Sequence, residues 1–173
     1  MSTATSIATQ SAAKAAVMKA VIVPMNNVEY NLETYRKFSS SMFNAAHAVP
    51  STVGGGNHGH IYLLESTAVY TTRMGGTSYT EVVHPGAIDF TKATTNTQIA
   101  RVKETRATDL ETYSTQKGVR AGLRKIIIVN VPAKILVELE DMESGLDKVE
   151  PWRLLETIKG RAAPVTCLHH GTQ

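Results

Sequence analysis

From Thr94 to Val131 the sequence reads as one helical run, and no other stretch restricts the fold as strongly. Ile99, Val102, Leu110 and Tyr113 fall on one stripe of a helix with its 3.6-residue repeat. Continued without a break, that stripe would pass through Lys117, Arg120 and Arg124, which are not apolar. The next apolar set, Val119, Leu123, Ile126 and Ile127, lies on a face turned by roughly 100° or more. Either the helix breaks near Gly118, or one long helix gives its two halves to different neighbours. Pro132 ends or kinks it, because proline lacks the N–H that the ladder needs.

Other helices flank this run. Asn31 is placed to cap a helix over 32–48, where Leu32, Tyr35, Phe38, Met42, Ala45 and Ala46 recur at three- and four-residue steps and Pro50 stops the chain. A short helix is expected over 133–142, with Ile135, Leu136 and Leu139 inward and Gly145 as its stop. Pro151 suits a first helical position, opening a last helix that carries Trp152, Leu155 and Ile158 on its inner face. Residues 1–18, rich in Ser, Thr and Ala, offer too little apolar surface to offset their ordering entropy and read as a mobile N-terminal arm. Residues 19–25 are extended, with Pro24 denying them a central strand. Residues 161–173 read as a loose C-terminal tail.

The middle differs in kind. Residues 53–60 (VGGGNHGH) hold four glycines, Ser66 could cap a helical turn through Tyr70, and 77–83 (TSYTEVV) reads as extended, closed by the turn His84-Pro85-Gly86. The expectation is a mainly α fold: one helical domain over 19–160, with a small β-hairpin/loop insertion in residues 53–90.

Composition narrows the function classes. Apolar residues make up 42% of the 173 and charged ones 19%, enough to bury a core, although aromatics are only 6%. No run reaches the ~18 apolar residues of a membrane span. The single cysteine, Cys167, excludes an intramolecular disulfide framework and a four-cysteine zinc site, which points to a reducing, cytoplasmic setting. The net charge of +3 is unevenly spread. Residues 92–134 hold nine basic against three acidic side chains (+6), and 135–157 hold two against seven (−5). Such blocks neutralise each other within one chain or between neighbouring copies.

Several groups could carry chemistry. On a glycine-rich loop both imidazoles of His58-x-His60 could reach one metal, and Glu65 extends them to half of a cupin-like motif. A matching second half is absent, so these histidines are expected to hold the loop by hydrogen bonds, with no cofactor. Cys167, His169 and His170 cluster in the tail, without the rigid frame that a catalytic pair needs. No P-loop, GxGxxG, HExxH or GxSxG occurs. Lys117, Arg120 and Arg124, with Arg101, Lys103 and Arg106 further back, form a basic ridge able to follow phosphates, but it lacks the interleaved aromatics of single-strand binders.

The order of features resembles the gag-like region of copia-type retrotransposon polyproteins, most closely copies in diatoms and other algae. The resemblance spans about residues 30–160 and rests on His58, Gly59, His60, Tyr70, Pro85, Gly86, Tyr113, Gly145, Val149 and Pro151. It implies a helical, self-associating capsid-type protein that packages RNA and has no enzymatic activity. The chain departs from the pattern in lacking a Cys-x2-Cys zinc knuckle, which suits a truncated or host-adopted copy. The residues expected to join copies are Leu110, Tyr113, Leu123, Ile127, Trp152 and Leu155. The rival readings are a metal-binding module or metal-dependent enzyme using His58 and His60, and an RNA-binding adaptor using the basic ridge.

Overall fold

The structure, a computed structural model, describes residues 3–26, 28–53 and 56–162. It is mainly helical: α1 (Thr3–Met18), α2 (Leu32–His47), α3 (Thr67–Arg73), α4 (Asn96–Asn130), α5 (Ala133–Leu136) and α6 (Pro151–Ala162), with 3-10 turns at Ile61–Leu64 and Val137–Leu139. No helix among the described residues is long and apolar enough to cross a membrane.

Local chemistry sets the helix ends. The Asn31 side chain accepts from the Glu33 and Thr34 amides, both at 3.0 Å, while Asn31 N donates to Thr34 Oγ1, a complete capping box. Phe38, Ser41, Met42, Ala45 and Ala46 then form the buried face of α2. At the start of α4, Thr95 and Gln98 repeat the device. Pro151 takes the first position of α6. The helix expected over 133–142 is shorter: α5 tightens into the 3-10 turn at Val137–Leu139, and Asp141 then ties off a loop by accepting from Glu143 N, Ser144 N and Ser144 Oγ.

The helix α4 does not break at Gly118. It runs for 35 residues, about 50 Å, and its two apolar faces serve different neighbours. Its inner half supplies Val119, Leu123, Ile126 and Ile127 to a contiguous core shared with α2, α6 and the Ile61–Leu64 turn.

The mobile arm expected over 1–18 is instead helix α1, packed along α4. Ser6 Oγ lies 2.5 Å from Ser114 Oγ, and Gln10 and Lys14 face Gly118 and Gly122, so the two helices run parallel. Ser114, Gly118 and Gly122 recur every fourth residue and remove the side chains that would hold α1 away. A Cβ on Gly118 would sit 2.2 Å from the Gln10 carbonyl oxygen. Close backbone approach therefore replaces the large apolar side chains that α1 lacks, leaving Ala13 and Val17 as its buried residues.

The expected hairpin is a loop. Among the described residues of 53–90 there is no strand, and 77–83 has no regular secondary structure. Side chains hold it instead. Tyr79 packs on Tyr62 and Tyr70 with ring centroids 4.8 and 5.1 Å away, and Glu81 pairs with Arg120 at 2.5 Å.

Candidate functional site

The glycine–histidine loop has a structural task. Gly59 adopts φ +54°, and a Cβ there would lie 2.7 Å from the Ala46 and His47 backbone. That approach lets His60 N donate to Ala46 O at 2.9 Å, satisfying a carbonyl in the last turn of α2. The His60 side chain is buried, with Nδ1 3.2 Å from the Tyr62 hydroxyl and Nε2 without a partner among the described residues. Burial pushes the imidazole down to about 4, so it is neutral near pH 7. His58 lies half-buried nearby. Among the described residues no three His, Cys, Asp or Glu side chains converge closely enough to hold a metal. Cys167, His169 and His170 lie outside the described residues.

The basic ridge is largely engaged within the chain. Arg106 donates through Nε and Nη2 to Gly86 O, at 3.2 and 2.7 Å. Arg120 sits between Glu81 and Glu150, its Nε 3.3 Å from the latter, and Arg124 Nε donates to Val149 O at 2.8 Å. Lys103 lies over the Phe90 ring, 5.9 Å from its centroid. Arg101 and Lys117 are the exposed members without such a contact among the described residues. The basic block thus folds back on Glu150 of the acidic block. Lys117, Arg120 and Arg124 line, with Glu81 and Glu150, a groove of about 610 Å³, with His84 edge-on to Tyr113 at 5.1 Å. Its pairs pin the 81–84 segment and the loop before α6 to α4.

Of the residues expected to join copies, Leu123, Ile127 and Leu155 belong to the chain's own core and offer nothing to a second copy. Leu110 is buried outside that cluster, Tyr113 is half-buried under His84, and Trp152 is half-buried at a cleft, not inside the core as its helical face suggests.

The apolar surface left over is elsewhere. Residues 96–109 of α4 reach past the N-terminal end of α1 and contribute no buried residue. The 83–93 loop runs along them, held by the Arg106–Gly86 contact, and the 50–60 loop comes beside Thr108 at the inner end. Between loop and helix is a cleft of about 370 Å³ lined in part by Pro85, Ala87, Ile88 and Val102. Val83 is 74% exposed, Ile88 and Phe90 more than a third, and Ile99 and Val102 are half-buried. Sequence reasoning missed Val83, Ile88 and Phe90. The available signal was three large apolar residues within eight positions of a segment otherwise read as loop.

Compared with protein-family models, curated proteins and solved structures, the chain matches none.

Proposed function

We propose that this chain is a non-enzymatic, self-associating structural protein of the capsid type, acting in the cytoplasm, whose copies join through the arm formed by residues 83–109. The observation that supports this reading is the run of Ile88, Phe90, Ile99 and Val102 along one projecting element, each left partly exposed by the chain itself. Apolar groups gathered on an extension mark an association surface more readily than the same groups scattered over a globule. The resemblance to gag-like regions points the same way. Packaging of RNA is the weaker part of the proposal, since Arg106, Arg120 and Arg124 already have partners. Lys92, Arg101, Lys103 and Arg106 exceed Asp89, Glu104 and Asp109 on the arm by a single charge.

Light scattering with mass determination across protein concentration tests the reading. A mass that rises above 18.7 kDa with concentration, and falls back in Phe90→Asp and Val102→Asp, is the expected result. A single-chain mass at every concentration and salt level overturns it. A salt-dependent RNA complex formed by a strictly monomeric chain would favour the adaptor reading instead.

A further inference from the structure

The groove between α4 and the 81–84 segment holds more positive charge than the chain neutralises. Four cations line it, Lys117, Arg120 and Arg124 from α4 and Lys148 from the loop before α6, against two carboxylates, Glu81 and Glu150. Both carboxylates are spent on one cation: Arg120 Nη2 meets Glu81 at 2.5 Å, and Arg120 Nε lies 3.3 Å from Glu150. Arg124 is left with less. Its Nε donates to the Val149 carbonyl at 2.8 Å, and its two Nη atoms have no partner among the described residues. Arg124 is half-buried, yet neither Nη atom is sealed from solvent. Burial lowers the Arg124 pKa, and the charges of Glu150 and Asp147 do not make up the difference. A guanidinium in this position has given up hydration without receiving a carboxylate in exchange.

Lys117 and Lys148 are exposed and have no ion pair or hydrogen bond among the described residues. The Arg124–Val149 bond ties the residue after Lys148 to α4, so the loop lysine stands across from the helix that carries the other two. Lys117 and Arg124 are seven positions apart, about 10 Å along the helix axis, a span that two long side chains can close over a pair of linked phosphates. We propose that the groove binds the diphosphate group of a small molecule, held by Lys117, Lys148 and the Nη atoms of Arg124. A compact dianion suits it better than a nucleic-acid backbone. The groove's surplus is two charges, and a strand following the cation row would run past Glu81 and Glu150 where they hold Arg120. Beside Lys117, one turn towards the start of α4, Tyr113 and His84 put an aromatic surface on the same groove, where a ring carried by the diphosphate could rest. The proposal does not depend on self-association through the arm.

The test titrates the full chain calorimetrically with inorganic pyrophosphate at fixed ionic strength, so that general screening stays constant. A single saturable site is expected. Lys117 and Lys148 hold nothing else in place, so Lys117→Gln/Lys148→Gln should fold like the parent and bind about tenfold or more weaker. Lys125→Gln/Lys134→Gln removes the same charge from exposed positions off the groove and should bind within about twofold of the parent. ADP and adenosine separate the sources: ADP tighter than pyrophosphate identifies a nucleotide with its ring on Tyr113 and His84, pyrophosphate tighter identifies the free diphosphate, and adenosine should not compete in either case. Equal weakening in the two double variants, no heat at millimolar pyrophosphate, or displacement of pyrophosphate by a 5′-hydroxyl oligouridine at equal phosphate concentration overturns the proposal. The last result would make the groove a track for an RNA backbone instead.

Discussion

Residues 110–130 and 96–109 of α4 belong to one unbroken helix but stand in opposite surroundings. The inner half is packed by α1 along Ser114, Gly118 and Gly122, and by the core along Val119, Leu123, Ile126 and Ile127. The outer half buries nothing completely and has a loop as its companion. Its helicity follows from continuity: the inner half has already met the nucleation cost, so each further residue adds a hydrogen bond for one pair of dihedrals. The Thr95–Gln98 capping box then satisfies amides at the far end. A buried segment of 21 residues can thus impose order on a further 14 that have little packing of their own.

The largest expected effect tests the inner half. Leu123→Ala empties a site with no exposed surface and should lower the unfolding free energy by about 2–5 kcal/mol in a urea titration. Val102→Ala in the outer half should lie below about 1 kcal/mol. Equal losses would erase the distinction between the halves.

The next effect lies where the halves meet, at a cleft lined by His60, Thr108 and Thr112. His60 is held near 4 in the folded chain against an ordinary 6.5. The unfolded state then binds the extra proton between those values, so stability falls as pH drops from 6.5 towards 4. The shift corresponds to a loss of roughly 3 kcal/mol over that window. His60→Phe should flatten this acid limb in pH-dependent thermal melts; an unchanged limb would assign it to other groups.

A smaller effect separates the two glycines of the α1 seam. Gly118→Ala drives a methyl group against the Gln10 carbonyl and should cost about 1–3 kcal/mol, with faster amide exchange over α1 while Val119–Ile127 stay protected. At Gly122 the nearest atoms lie 3.2 and 3.3 Å away, and alanine gains about 1 kcal/mol of helix propensity. Gly122→Ala should be close to neutral.

The smallest effect on stability belongs to the arm. Phe90→Asp should change the unfolding free energy of the isolated chain by no more than about 0.5 kcal/mol while lowering the mass seen by light scattering. A large destabilisation would mean that the loop is part of the core's support.

Much of this architecture was legible because its signals are local. The Asn31 cap, the α2 stripe, the paired stripes of α4 and Pro151 each lie within a few residues of what they specify. Helix α1 was not, because its partner is the Ser114–Gly118–Gly122 row more than a hundred residues away; seen alone, Ser, Thr and Ala look too weak to fold. Residues 77–83 have strand-forming side chains, but strands need partners, and Tyr62, Tyr70 and Arg120 supply side-chain anchors instead. Trp152 was placed too deep because helical periodicity gives a face but not its edges. Leu154, Leu155 and Ile158 take the interior of α6 and leave the indole at the cleft. The resemblance drew attention to Gly59 and His60; the close approach to the Ala46 carbonyl gives the physical reason for Gly59, while the His60 ring meets the Tyr62 hydroxyl.

The length of α4 has a mechanical consequence. At 1.5 Å per residue, the fourteen or so positions beyond the α1 seam make a rigid lever of about 20 Å. A tilt of about 10° at the glycine pivot would swing its tip by roughly 3–4 Å, close to the width of an atom. A sub-ångström shift where α1 meets Gly118 is therefore amplified severalfold at Ile88 and Phe90, so the seam governs the angle at which the arm meets whatever it touches.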